Sequence, residues 1–264
     1  MLFRYLMLIL ILSSCTNYNK HPQIKPINSF NEANFDLPKN ILVIFDVDET
    51  LIQPVDSYLI NEHTETGKEF RNFLLEKYKY IKDWEHLTSI MLKQAQRPII
   101  EPQVIDKIKE LQTQGVKVIA LTGMNTGKMG IYNELAEWRY EHLKSLGFQG
   151  SFTNQIIKFD YNHCHPIFFK GVLATDLAAK GPILMEFLKA INYPPKQIVM
   201  FDDDLDHLNS VAASCKKHNI LFLGYYYKGA KSKKWNQKLI EAQLEHLIKH
   251  KEWLDDNEVD KLVK

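Results

Sequence analysis

The chain has 264 residues, 45% of them hydrophobic, 25% charged and 11% aromatic. These are the values of an ordinary globular protein and exclude a disordered, collagen-like or disulfide-scaffold chain. Lys and Arg number 33 against 32 Asp and Glu, a net charge of +1; a dedicated nucleic-acid binder would show a basic excess or stripe, so no nucleic-acid partner is expected. Three cysteines without a CxxC pair provide neither a disulfide framework nor a zinc site.

At the N-terminus Arg4 precedes an unbroken apolar run at residues 6–12, and Ser13, Ser14 and Cys15 follow. This is the pattern of a secretory signal peptide, too short to span a bilayer that needs about 20 apolar residues. Its end, Leu12-Ser13-Ser14-Cys15, resembles the lipobox of bacterial lipoproteins. The resemblance implies that residues 1–14 are removed and that Cys15 is lipidated. The protein would then be a membrane-anchored lipoprotein of a bacterial cell envelope, facing the periplasm or the cell surface. Residues 15–39, rich in Asn and Pro and poor in apolar periodicity, read as an extended tether. Cys164 and Cys215 remain, and spacing leaves their pairing open.

Downstream the sequence alternates between strand and helix. Residues 41–46 (ILVIFD), 116–121 (VKVIAL), 197–201 (QIVMF) and 220–224 (ILFLG) are continuous apolar runs, the sign of strands buried on both faces of a parallel sheet. Between them Pro102 opens a helix carrying Val104, Ile105, Ile108 and Leu111 on one face, residues 134–146 form a second, and residues 182–191 a third. The pattern predicts an α/β fold with a doubly wound parallel sheet. Two segments interrupt it. Residues 55–97, charged and aromatic, read as a small helical cap insertion. Residues 156–179 alternate and turn at Asn162 and Pro166, suggesting a β-hairpin. Near the C-terminus Leu239, Ile240, Gln243, Leu244, Leu247 and Ile248 mark an amphipathic helix expected to pack on the sheet.

Ligands of open α/β sheets bind at the carboxyl ends of the strands. Three of the four runs end in polar groups: Asp46-Val47-Asp48-Glu49-Thr50, Thr122-Gly123, and Asp202-Asp203-Asp204. Lys180 opens a helix, where the dipole does not favour a cation. Converging carboxylates can hold Mg²⁺, a hard cation that prefers oxygen ligands. Metal and lysine together can neutralise a phosphoryl group while an aspartate attacks it. Asp48, two residues on, is near enough to serve the leaving group, provided it is a neutral acid at that moment.

These four motifs, in this order, resemble those of the haloacid-dehalogenase (HAD) superfamily of phosphohydrolases: Asp46-Val47-Asp48-Glu49-Thr50 the first, Thr122 the second, Lys180 the third, Asp202-Asp203 the fourth. The resemblance implies a Rossmann-like HAD fold over residues 40–264 and a Mg²⁺-dependent phosphomonoesterase. It implies Asp46 as nucleophile, Asp48 as acid and base, and Thr122, with its neighbour Gly123, and Lys180 as phosphate ligands. Mg²⁺ would be held by Asp46, the Asp48 carbonyl and Asp202, with Asp203 a further ligand or a partner for Lys180; Asp204 and Asp206 stay open as alternatives. The lipid signal with DVDET also resembles secreted class C acid phosphatases, although the fourth motif here is VMFDDDLDHL. The tail, GYYYKGAK and WLDDNEV, resembles an uncharacterised bacterial HAD family of the DUF2608 type.

Competing readings accompany several residues. Lys170 is an alternative phosphate ligand, and His163-Cys164-His165 reads as an exposed turn rather than a transition-metal site. Lys228, Lys231, Lys233 and Lys234 read as a solvated basic run. The small cap implies an open site that accepts a phosphorylated small molecule, nucleotide or phosphopeptide. The other function class is a non-catalytic HAD-fold binding or regulatory protein.

Overall fold

Alternating faces of a buried sheet organise the molecule. The computed structural model describes residues 23–263; the segment read as a signal peptide and Cys15 lie outside them. Strands β1 (Gln23–Ile27), β2 (Ile41–Phe45), β3 (Lys117–Thr122), β4 (Ile156–Lys158), β5 (Ile167–Phe169), β6 (Val172–Ala174), β7 (Gln197–Asp202) and β8 (Leu221–Tyr227) form one sheet in the order β1-β8-β7-β2-β3-β6-β5-β4. The pairs from β1 to β6 are parallel, and β4-β5-β6 is an antiparallel meander at one edge. Every residue of β2 is buried. Ile41, Val43 and Phe45 face a core cluster with Val104, Ile108 and Leu111 of α4 (Gln103–Thr113) and Leu143 of α5 (Leu135–Ser145). Leu42 and Ile44 face the opposite cluster with Ile183, Leu184 and Phe187 of α6 (Lys180–Ala190) and Leu208 and Val211 of α7 (Leu205–Lys217). Helices therefore cover both faces, as the continuous apolar runs predict.

The insertion after β2 folds as α1 (Ser57–Asn61), α2 (Glu65–Lys77) and α3 (Trp84–Gln94). Phe70, Leu74 and Tyr78 turn inward at helical spacing. The C-terminal amphipathic helix, α8 (Gln237–His250), is a correction to the sequence reading. Its Ile240, Leu244 and Leu247, with Trp253 beyond it, join this cap cluster and not the clusters of the sheet. Amphipathicity specifies an apolar face and is silent on its partner. The terminal helix α9 (Asp256–Val263) reinforces the arrangement, since the Asp256 carboxylate accepts from the Ser57 backbone N–H at 3.1 Å.

A second correction concerns the tether. Gln23–Ile27 is an edge strand pairing in parallel with β8, and Phe30 just after it is fully buried. Phe30 stacks on Tyr227 at 4.6 Å and meets Phe45 and Phe201 edge-on. Cys164 and Cys215 are both free thiols, Cys215 buried against the sheet. Lys170 occupies the turn between β5 and β6 with a left-handed φ of +48°. Because β6 runs parallel to β3 and ends at Ala174 beside Thr122, Lys170 lies at the opposite edge from the strand tips. Residues 161–165 form the expected tight turn, closed by the Tyr161–Cys164 bridge.

Phe30→Ala tests whether this segment belongs to the fold. Removing a fully buried Phe costs about 3–5 kcal/mol, read as a shift in the denaturation midpoint. A tether residue would change stability by less than about 0.5 kcal/mol.

Candidate active site

The site forms where β2 and β7 run side by side. Phe45 pairs with Phe201, so the next residues, Asp46 and Asp202, emerge together at the strand tips. The Asp46 backbone N–H donates to the Phe201 carbonyl at 2.8 Å, continuing the ladder one step beyond β2. Lys180, the first residue of α6, is fully buried and bridges them, donating to Asp46 Oδ1 and, at 2.8 Å, to Asp202 Oδ2. Its helix comes this close because residue 181 is glycine: a Cβ there would sit 2.1 Å from the Ser210 carbonyl oxygen of α7. The second motif's Thr122 ends β3, buried at its tip; its Oγ1 accepts from the Met124 N–H at 3.3 Å. Beside it a Cβ on Gly123 would meet open space.

The loop after Asp46 is a tight turn. Glu49 adopts a left-handed φ of +61°, a strained state for a residue with a side chain. Thr50 Oγ1 donates to Asp203 Oδ1 at 3.1 Å and accepts from the Asp203 N–H at 3.1 Å. This reciprocal pair ties the first motif to the fourth. Asp204 caps α7 by accepting from the Asp206 N–H, and both lie exposed. Of the four acids in this segment, Asp202 is the one whose carboxylate meets Asp46 and Lys180.

Two side chains that sequence reasoning passed over complete the site. His207, in the first turn of α7, places Nδ1 3.3 Å from Asp202 Oδ1. One ligand atom each from Asp46, Asp202 and His207 lie within 4.8 Å of one another. Arg139 of α5 donates from Nη2 to both oxygens of Asp48 at 2.9 Å. Arg139 is buried while the Asp48 side chain is 45% exposed. The cap reaches the same place: Asp48 acts electrostatically on Glu62, at the end of α1, and on Arg97, in the return from α3. A strand-tip motif is visible in sequence; a buried arginine on an amphipathic helix is not, and His207 offered only its place one turn after the fourth motif.

The electrostatics identify what the site lacks. Burial, with repulsion from Asp202 and Asp203, pushes the Asp46 carboxyl well above its usual range despite Lys180. Burial opposes ionisation of Asp202 too, but Lys180 and His207 outweigh it and hold that carboxyl below its ordinary value. Asp203 is raised to about 6 by burial and by Asp202. One lysine thus faces three carboxyl groups, and a divalent cation would relieve the excess. The donor set, two carboxylates with an imidazole alongside, fits such a cation.

The fold and site define a doubly wound α/β protein with a capped, strand-tip carboxylate–lysine centre. The chain belongs to the family described as "Protein of unknown function (DUF2608)", whose profile matches residues 20–260. An uncharacterised protein of Rickettsia prowazekii is 24% identical, covering 93% of each chain. Another from Rickettsia bellii is 24% identical over 75% of this chain and 71% of its own. A solved structure described as a HAD family hydrolase from Salmonella enterica serovar Typhi has 14% identity, covers 74% of this chain and 69% of that one, and gives a TM-score of 0.35.

His142, one turn beyond Arg139 on α5, is held down to about 4 by burial and by the charges of Arg139 and Arg97, against the opposing pull of Asp48. Its folded pKa lies below the ordinary 6.5, so the unfolded chain binds more protons between those values. Stability from this group is complete above about pH 6.5 and falls as the pH drops toward about 4. Thermal melts of the wild type across that window should lose more stability than those of His142→Gln; parallel curves would show that His142 does not contribute.

Proposed function

We propose that this protein is a divalent-cation-dependent phosphomonoesterase of the HAD type, working through an aspartyl-phosphate on Asp46. The observation that carries the reading is the buried Lys180 bridging Asp46 and Asp202, with Thr122 at the adjacent strand tip and Asp48 two residues from the nucleophile. Asp46, Asp202 and the Asp48 carbonyl, with His207 at the flank, would hold the cation, Mg²⁺ in the first instance. When bound, the cation neutralises the phosphoryl oxygens and keeps Asp46 ionised. Lys180 adds a positive charge from within the protein, and Thr122 and Gly123 supply hydrogen-bonding groups for the phosphoryl oxygens. Asp46 attacks phosphorus through the carboxylate oxygen not engaged by Lys180. Asp48 leaves Arg139, takes up a proton from solvent, gives it to the departing oxygen, and later takes one from the water that cleaves the aspartyl-phosphate. Asp203 serves the site through Thr50, holding the first-motif loop in place.

The reading extends to location: residues 1–14 direct export, and Cys15 carries a lipid that anchors the enzyme to a bacterial membrane. Among the described residues no helix is long and apolar enough to cross a membrane. Fatty-acid labelling should mark the wild type and leave Cys15→Ala unmarked; equal labelling of both would remove this part of the proposal.

Turnover of phosphomonoesters should vanish in EDTA, return with Mg²⁺, and fall at least about 10⁴-fold in Asp46→Asn while circular dichroism shows an intact fold. In Asp48→Asn, hydrolysis of alkyl phosphates should drop by about 10²–10⁴ and that of p-nitrophenyl phosphate much less, because p-nitrophenolate leaves without proton help. Wild-type turnover by folded Asp46→Asn, once contaminating phosphatases are excluded, would sink the mechanism.

His207 makes a separate, binding-level prediction. An imidazole beside two carboxylates strengthens the hold on borderline metals more than on Mg²⁺. Calorimetry should show His207→Asn losing Co²⁺ affinity by more than it loses Mg²⁺ affinity. Equal losses would place His207 outside the coordination sphere.

A further inference from the structure

Arg139 carries more donors than its known partner uses. It is only 4% exposed. Its Nη2 holds Asp48, while Nε and Nη1 are buried and have no hydrogen-bond partner. A buried guanidinium with idle N–H groups is expensive, because those groups have given up water for nothing. Native proteins leave few such donors, and those left point to a missing partner.

The surroundings narrow what the partner is. The Arg139 guanidinium lies 4.8 Å from the ring of Trp138, which restrains its plane. The same indole stacks on His142 at 5.7 Å and tilts against Tyr132 at 5.5 Å. Tyr132 Oη and His142 Nδ1 are likewise buried without partners. Four unpartnered polar atoms therefore gather around one tryptophan. Arg97, also buried, is near enough for the Arg139 charge to act on it. Its Nη1 donates to the Leu92 and Ala95 carbonyls and Glu62 acts on it, so it adds charge to the cluster while Arg139 supplies the open donors. Two buried guanidinium groups and a phenol hydroxyl are a receptor for an oxyanion, which arginine grips in a planar fork.

Position assigns the oxyanion to a substrate. Arg139 already holds Asp48, the residue that faces the leaving group in the mechanism above. A ligand group on the remaining nitrogens is therefore a few atoms from the bond being broken, on the leaving-group side. We infer that Arg139, with Tyr132 and Arg97, forms an acidic-group subsite, and that the preferred substrates are phosphomonoesters whose leaving group bears a second oxyanion, a carboxylate or a phosphate. The inference rests on the phosphatase reading for the word substrate, and on the unpartnered donors for the subsite. It also gives Arg139 a positioning role: an oxyanion that draws Arg139 toward itself loosens Asp48 for proton transfer.

Non-hydrolysable phosphonates test binding apart from catalysis. Calorimetry on the full chain with Mg²⁺ would compare propylphosphonate, 3-phosphonopropionate and ethane-1,2-bisphosphonate, which differ at the far end by a methyl, a carboxylate and a phosphonate. The expected result is a dissociation constant at least tenfold lower for one or both acidic ligands in the wild type, and a ratio near one in Arg139→Gln. The arm that gains identifies carboxylate or phosphate as the second group. Equal affinities for all three ligands in the wild type overturn the inference without any variant, and so does a preference that survives in folded Arg139→Gln. Turnover of p-nitrophenyl phosphate is measured alongside. Turnover without an acidic-ligand preference overturns the subsite alone. An Arg139-dependent preference in a protein that hydrolyses no phosphomonoester supports the subsite and removes the phosphatase reading.

Discussion

A lysine wholly removed from water, held between two carboxylates, is the constraint on which the site depends. Lys180 would be intolerable at its depth without Asp46 and Asp202, and in return it helps to hold Asp202 ionised there. Meeting this condition fixes several parts of the fold together. Strands β2 and β7 must be neighbours in the register that aligns Phe45 with Phe201, so that the residues beyond them emerge side by side. Helix α6 must begin at the same edge, and its approach to α7 needs a glycine at position 181. Removing one partner of a buried ion pair typically costs about 3–5 kcal/mol, since it strands the other charge. The lysine is therefore structural and electrostatic at once. It still leaves the centre short of positive charge, with Asp46 and Asp203 raised above their usual range, which is the property a cation and a phosphoryl group would exploit.

The cap is bound to this centre more firmly than a loop insertion requires. Its two connections to the sheet run together: Ile52 bridges Ile99, the Gln53 N–H donates to the Pro98 carbonyl, and the Val55 N–H donates to the Gln96 carbonyl. Paired connections of this kind hold the cap at one place on the sheet. The C-terminal segment restrains it. Gln53 exchanges two hydrogen bonds with the Lys231 backbone, Lys233 reaches the Val55 carbonyl and Asp256, and buried Asp56 accepts from Trp253 Nε1 at 2.9 Å. Part of the basic run that reads as a solvated surface is thus a strap joining β8 to the cap. Movement of the cap over Asp48 would have to carry α8 with it, and the apolar cluster shared by α2, α3 and α8 makes that a rigid-body step.

What the sequence disclosed follows from how each element is buried. Strands covered on both faces must be apolar throughout, so β2, β3 and β7 announce themselves as runs. The edge strand β1, QIKPI, has one neighbour and contains Pro26, so it looks like linker; only tertiary pairing with β8 and the burial of Phe30 make it a strand. The cap helices were visible from the spacing of Phe70, Phe73, Leu74, Tyr78 and Ile81, although Phe73 lies exposed. The destination of α8 was not, because an apolar stripe fits a sheet or a second helix layer equally well.

The same division runs through the site. Residues at strand tips are legible because an apolar run ending in Asp or Thr leaves the polar group nowhere to go but the sheet's edge. Asp46, Asp48, Thr122 and Asp202 were found that way, and Lys180 by its unfavourable place at a helix start. Arg139 and His207 arrive on helices, where EWRYEH and DLDHL read as ordinary polar faces. Arg139 is buried where α5 packs against β5 and β6 and meets the loop after β2 at Asp48, and nothing in its local sequence records that. Yet its contact with Asp48 bears directly on the chemistry. Both Asp48 oxygens accept from the guanidinium, so in the mechanism proposed above proton delivery would require Asp48 to leave Arg139, and Arg139 would then need another oxyanion in its place. On the proposed reading, the strand-tip residues would define what the centre does to a phosphoryl group, while the helix-borne arginine would tie that act to what else the ligand carries.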